Sequence, residues 1–156
     1  MVSIAWKVVD PATAGVVQDM RYFVVRPSGF AIPAAATAIH GITTERAAAD
    51  GVPVQDVLAA LQADIAEHNV RTVVAHHANF DVNIVRSEAA RAGNDALFRK
   101  LAQPMKRFCT SKTNGYRKLA VLYEDLFGAP MTGCHDARAD AEACCRIYLK
   151  NVVAGA

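Results

Sequence analysis

His135, Asp136 and Asp140 can do acid–base or metal chemistry, and they lie close together at the start of an Ala-rich segment, GCHDARADAEACC (133–145). An Asp at a helix start commonly accepts backbone N–H groups as the N-cap, and the helix dipole favours a carboxylate in the first turns. His135 would precede this helix, with an imidazole that titrates near neutral pH. The segment therefore predicts either an ordinary helix start, capped by Asp136, or part of a catalytic site.

A second carboxylate with a comparable position is Asp81, which follows the apolar run RTVVAHH (71–77) and begins a helical segment. Hard cations such as Mg²⁺ and Mn²⁺ take oxygen ligands, often one or two carboxylates together with substrate phosphate. We therefore expect Asp81 and Asp140 to converge on such a cation, with His135 taking a proton from an attacking water. Two cations about 4 Å apart would stabilise the attacking and leaving oxygens of a phosphodiester. The alternative is that each Asp caps its helix.

The elements that must position these residues predict an α/β fold over residues 1–156, a length typical of a single domain. Alternation and β-branched residues predict an antiparallel hairpin of strands at 2–9 and 16–26, and a buried strand at 71–77. Apolar spacing predicts one helix that begins after Pro53. Apolar spacing and stop residues predict three more helices, at 81–92, 116–127 and 136–152, and a short helix or loop is expected at 34–48.

The composition, with 53% hydrophobic and 21% charged residues, is that of an ordinary globular chain. No segment approaches the ~20 apolar residues of a membrane span, and the N-terminus does not resemble a signal peptide, so we expect a soluble, cytoplasmic protein without a membrane partner. The four cysteines lack metal-finger spacing and are expected to be reduced thiols, mostly in the core. Residues 96–123 contain seven Lys and Arg and no acid, which indicates a solvated face or a set of phosphate contacts.

Three segments in order along the chain, IHGIT (39–43), AHHANFD (75–81) and HDARAD (135–140), resemble the motifs of the DEDDh family of 3′–5′ exonucleases. That family includes the proofreading epsilon subunit of bacterial DNA polymerase III. The resemblance extends from Ile4 to Leu149. It implies a ribonuclease H-like mixed sheet flanked by helices, and metal-dependent hydrolysis of phosphodiester bonds at nucleic-acid 3′ ends.

The resemblance also implies roles for individual residues. Asp81 and Asp140 would bind Mg²⁺ or Mn²⁺ in a two-metal site, and His135 would be the general base. Ile39 and His40 would lie beside the 3′-terminal nucleotide. The expected partners are the 3′ ends of single-stranded DNA or RNA and, for a proofreading role, a DNA polymerase subunit.

For two further residues of the AHHANFD segment, Phe80 and His77, we predict the environment of the side chain. Phe80 precedes the metal-binding Asp81 and is expected to lie in the core. His77 stands where the family usually has Asn, so its hydrogen bonding is expected to differ from that of the family.

The chain departs from the family pattern because it lacks the Asp-x-Glu of the first strand, which supplies two of the family's four carboxylates. The Asp-x-Glu of this chain is Asp140-Ala141-Glu142 in the last predicted helix, where residues two apart are about 200° apart, so Glu142 is expected to face solvent. The first strand, normally central, would have ended before Met1. We expect a truncated or miscalled gene product, whose sheet either closes over the gap or is completed by strand exchange in a homodimer.

Two other functions compete with the exonuclease. A catalytically inactive nucleic-acid-binding or polymerase-associated module would keep the same fold and the basic segment at 96–123. A zinc site is the third hypothesis, and it would use Cys134, His135, His76 and His77, although their spacing is unlike that of structural zinc sites.

Overall fold

The computed structural model describes residues 1–102 and 105–153, and it has the α/β architecture that the sequence predicts. Four strands occur in this part of the chain: β1 (Ser3–Asp10), β2 (Gly15–Val24), β3 (Thr72–Ala75) and β4 (Lys106–Cys109). The helices are α1 (Ala34–His40), α2 (Thr44–Asp50), α3 (Val54–Glu67), α4 (Ala78–Arg91), α5 (Asp95–Ala102), α6 (Thr110–Thr113), α7 (Leu119–Phe127) and α8 (Ala137–Val153).

The strands form two separate sheets. β1 and β2 pair as the predicted antiparallel hairpin, and β3 pairs in parallel with β4. Across residues 1–102 and 105–153, no strand pairing joins the two sheets. Of the two expected arrangements, closure of the sheet is therefore not found in these ranges, and strand exchange in a homodimer stays a prediction. β4 was not predicted, because it has only four residues and two of them are the exposed Lys106 and Arg107.

Two helices begin at residues other than those predicted. α4 begins at Ala78, because the backbone N–H groups of Phe80 and Asp81 both donate to the His77 carbonyl. Asp81 therefore lies in the first turn and does not cap the helix. α7 begins at Leu119 and not at Tyr116, since Tyr116 has a φ of 59°, which a right-handed helix does not allow.

α8 is the helix that supports both sheets, since it contacts β1, β2 and β3. Its inner face buries Ala143, Cys144, Cys145 and Ile147. The four cysteines are free, as expected, but only Cys144 and Cys145 belong to the core. Among the described residues, no helix combines the length and apolar composition that a bilayer span requires.

A buried carboxylate fastens the hairpin to α3. Asp64 is 2% exposed, and its Oδ2 accepts a hydrogen bond of 2.8 Å from the Trp6 indole N–H. Its Oδ1 accepts a hydrogen bond of 3.1 Å from the Arg21 guanidinium. Because Trp6 belongs to β1 and Arg21 to β2, one side chain of α3 holds both strands.

Candidate active site

The site lies where β3 ends and α4 begins. β3 ends at Ala75, and the chain passes through His76 and His77 directly into α4. Polar residues after a short apolar strand are brought to the sheet edge in this way, and Asp81 follows in the first turn of α4. Asp81 is an exposed residue, although neighbouring atoms desolvate part of its carboxyl.

The second part of the site is the start of α8. Asp136 accepts the Arg138 backbone N–H at 2.8 Å and the Arg138 guanidinium at 2.6 Å, so its predicted role as N-cap is confirmed. These Arg138 hydrogen bonds hold the pKa of Asp136 at about 2. The preceding residue, His135, is exposed and has a φ of 69°, and its backbone N–H donates to Asp140 Oδ1 at 3.3 Å.

Asp81 and Asp140 both influence the thiol of Cys144 in α8. Burial raises the pKa of the Cys144 thiol to about 12, and the negative charges of Asp140 and Asp81 add to the rise. α8 also contacts β3, the strand that leads into α4, so the elements that carry Asp140 and Asp81 are neighbours in the fold. The two Asp residues are 59 positions apart in the sequence, at 81 and 140.

Both carboxyls are harder to ionise than an ordinary Asp. Neighbouring protein atoms remove part of their hydration, and this desolvation raises the pKa of Asp81 and of Asp140. For Asp140 the His135 backbone N–H and the charge of the His135 ring oppose the rise. Neither Asp81 nor Asp140 forms an ion pair with another described residue. A desolvated carboxylate without such a partner is a candidate for function.

His76, which the sequence predicts only as a zinc ligand, lies directly after β3. Its Nδ1 lies 3.0 Å from Oγ1 of the fully buried Thr110, and its carbonyl accepts hydrogen bonds from Cys109 Sγ and the Ser111 N–H. Burial and the neighbouring His77 lower the pKa of His76, whereas the negative charge of Asp140 opposes this shift. No sequence pattern indicates Thr110, because its contact with His76 spans 34 positions and depends on the β3–β4 pairing.

Ile39 and His40 are not joined to these residues by any hydrogen bond in the described ranges. They end α1, where Ile39 is 61% exposed and His40 Nδ1 accepts the Ile42 backbone N–H at 3.1 Å. Glu142 is exposed, as expected, and pairs with Lys7 at 2.9 Å on the opposite side of the helix turn from Asp140.

The prediction that Phe80 lies in the core is wrong. Its side chain is 67% exposed, so Phe80 is not a core residue. The reason is the earlier start of α4: Ala78 and Val82 take the buried positions, and Phe80 between them faces outward.

Two carboxylates fit one hard divalent cation that keeps several waters and takes oxygens from a substrate phosphate. They do not supply the ligands of two cations. Among residues 1–102 and 105–153, the side chains of Asp81, Asp140 and His135 do not form a group whose ligand atoms all lie within 4.8 Å of one another. Likewise, the set proposed for zinc, Cys134 with three His residues, forms no such group in these ranges.

A group of three close ligand atoms does occur elsewhere, at the end of α3. Asp64, Glu67 and His68 have ligand atoms within 4.8 Å of one another. However, both Asp64 oxygens already accept hydrogen bonds, one of them from the Arg21 cation. A positive charge on the carboxylate opposes the binding of a metal ion there, so this group is better explained as the hairpin anchor.

Known proteins resemble this chain over nearly its whole length. A family model described as "Exonuclease" matches residues 2–148. A crystal structure of a full-length 3′-exonuclease is similar with a TM-score of 0.67 and 14% identity over 99% of this chain and 53% of that chain. The structure of E. coli Exonuclease I in complex with a dT13 oligonucleotide gives a TM-score of 0.65 and 17% identity over 96% of this chain and 40% of that chain.

Similarity at such low identity shows the fold, which is the α/β, ribonuclease H-like arrangement predicted from the sequence. The chain spans about half or less of the length of these solved structures. No curated protein sequence matches it.

Proposed function

Because the chain belongs to the exonuclease family, we propose that it hydrolyses phosphodiester bonds at nucleic-acid 3′ ends, in the 3′–5′ direction and with a divalent cation. The observation that supports the proposal is the packing of α8, which carries Asp140, against β3, which leads into α4 and Asp81. The backbone N–H of His135 donates to Asp140 at the start of α8. Mg²⁺ or Mn²⁺ is the proposed ion, and single-stranded DNA or RNA is the proposed substrate. A cytoplasmic location, a DNA polymerase partner and a homodimer remain predictions from the sequence.

Each residue has a distinct proposed role. When bound, the cation would be held by Asp81 and Asp140 and would stabilise negative charge on the phosphate. His135 is exposed and would accept the proton of the attacking water as general base. The left-handed turn at His135 holds its backbone N–H on Asp140, so the base and the metal ligand keep a fixed relation. Ile39, largely exposed at the end of α1, would contact the terminal nucleotide.

The test is a nuclease assay on 5′-labelled single-stranded DNA and RNA with Mg²⁺ or Mn²⁺. We expect a ladder of products shortened from the 3′ end, and a loss of more than about 100-fold in D81N and D140N, since each removes a charged ligand. E142Q is the matched control on the same helix, because Glu142 is exposed and points away from the site. Equal activity in D81N and the unmodified protein would disprove the proposal.

A second function is favoured by one observation: among the described residues, no group of three close ligand atoms includes Asp81 or Asp140. A chain of this fold that binds a 3′ end without cleaving it would be a nucleic-acid-binding module. The same assay distinguishes the two functions. No shortening in either metal, together with oligonucleotide binding that weakens as salt rises, would support the binding module.

A further inference from the structure

Tyr116 is a large, exposed aromatic residue with an unusual backbone conformation. Its side chain is 72% exposed, and its φ of 59° lies in the left-handed region that bulky residues rarely adopt. The backbone N–H of Tyr116 donates to the Ser111 carbonyl at 2.7 Å, which fixes the turn after Gly115. The exposed ring is therefore presented by a defined turn and not by a loose loop.

This turn is joined to the candidate site. Thr110 and Ser111, which precede it, bond to the side chain and the carbonyl of His76 respectively. The turn that carries Tyr116 is thus anchored to His76 through the two residues Thr110 and Ser111. His76 in turn joins β3 to α4, the helix that carries Asp81. The negative charge of Asp140 also opposes the lowering of the His76 pKa.

Positively charged side chains near Tyr116 in the sequence could bind the phosphates of a nucleic acid. Lys112 and Lys118 are exposed, and neither forms an ion pair with any residue in the described ranges. Arg117 is used differently, because its guanidinium pairs with Asp125 at 2.5 Å. Two free cations and one exposed aromatic ring within seven residues, 112–118, match the pattern of single-strand binding sites, where bases stack on aromatics and cations track the backbone.

We propose that Tyr116 stacks on a base of the single strand whose 3′ end enters the site, while Lys112 and Lys118 contact the adjacent phosphates. The inference rests on the proposed function and names a second contact for its substrate. Stacking on a tyrosine accepts every base, so this contact would hold the strand without selecting its sequence. A turn anchored through His76 would also fix the distance between the stacked base and the carboxylates.

The test measures fluorescence anisotropy of a 5′-labelled oligo(dT) with the full chain, in EDTA and in Ca²⁺, at several salt concentrations. We expect Y116A to bind about 5- to 150-fold more weakly, as for the loss of one stacked base, with an unchanged salt slope. Y116F should bind within about twofold of the unmodified protein, because it keeps the ring. K118Q should instead reduce the salt slope by about 0.7, the value for one phosphate contact on a single strand.

Two controls separate the ring from the turn. Y116N keeps a residue that tolerates the left-handed conformation but has no ring, so it should bind as weakly as Y116A. V17A removes apolar surface from a 52% exposed residue of β2 and should bind normally. Normal binding by Y116N or Y116A would overturn the stacking role and leave the exonuclease proposal intact, whereas no binding by the unmodified protein in either condition would overturn both.

Discussion

At the residue scale, the segment HDARAD shows how position decides the chemistry of identical side chains. Two aspartates lie at the start of α8: Asp136 immediately precedes the helix and Asp140 lies in its first turn. The Arg138 side chain and backbone N–H lower the pKa of Asp136 to about 2, whereas desolvation raises the pKa of Asp140. Asp136 is therefore a structural cap, and Asp140 is available to a ligand.

Replacing Asp136 should weaken the start of α8. D136A removes the acceptor of the Arg138 N–H, so we expect a loss of about 1 kcal/mol in the free energy of unfolding, and D136N should lose less. Because the pKa of Asp136 is depressed in the folded state, its contribution is complete above the pKa of a free Asp, about 3.9, and is lost as pH falls towards about 2. Urea unfolding at pH 7 and pH 2.5 measures both effects. An equal deficit of D136A at both pH values would contradict the ionic origin.

Replacing Asp81 should have the opposite effect. Its pKa is raised in the folded state, so the charged form costs stability above that pKa, and the cost disappears as pH falls through it. We therefore expect D81N to unfold at a higher temperature than the unmodified protein at pH 7, with the difference vanishing in acid. Thermal unfolding followed by circular dichroism tests this, and a lower unfolding temperature for D81N at pH 7 would show that Asp81 is structural.

At the element scale, Gly51 is required where the hairpin meets the end of α2, because backbone atoms approach it too closely for any side chain. Val52 extends the hairpin by a bridge to Val25, and the residue before it, Gly51, ends α2. A Cβ on Gly51 would lie 2.1 Å from the Ala47 carbonyl oxygen and 2.7 Å from the Arg26 nitrogen. Both obstacles are backbone atoms, which cannot move aside as a side chain would.

G51A should accordingly destabilise the fold by at least about 1–3 kcal/mol, the range for overpacking. G29A is a suitable control, because Gly29 has a φ of 76° and open space around it, so that only the left-handed strain of about 1–2 kcal/mol applies. Denaturant unfolding of both variants compares the two costs. A smaller loss for G51A than for G29A would mean that the backbone at Gly51 relaxes easily.

At the scale of the whole molecule, two separate sheets are held together by helices. α8 contacts both sheets, and Asp64 of α3 holds both strands of the hairpin through Trp6 and Arg21. Since no strand pairing links the sheets in the described residues, side-chain anchors of this kind carry more of the tertiary stability than in a continuous sheet.

R21M leaves the buried Asp64 carboxylate with the Trp6 indole as its remaining donor, so we expect a loss of about 1–3 kcal/mol. D64N removes the charge that Arg21 neutralises, and the double variant R21M/D64N should lose less than the sum of the two single variants. Chemical unfolding of the four proteins completes this double-mutant cycle. Strict additivity would mean that the Arg21–Asp64 contact contributes nothing.

The sequence by itself determined the α/β class, the hairpin, most helices, the cap at Asp136 and the candidates Asp81, Asp140 and His135, because these depend on local periodicity, capping chemistry and spacing. The sequence did not reveal β4, because four residues give too short a pattern. It placed Phe80 in the core wrongly, because α4 begins three residues earlier than predicted and Phe80 belongs to its exposed face. Only the tertiary structure packed α8, which carries Asp140, against the strand that leads to Asp81, joined Thr110 to His76, and left the Tyr116 side chain exposed. Those contacts link residues that are tens of positions apart in the sequence. The desolvation of Asp81 and Asp140 and the left-handed backbone of Tyr116 arise from packing, which no local sequence pattern contains.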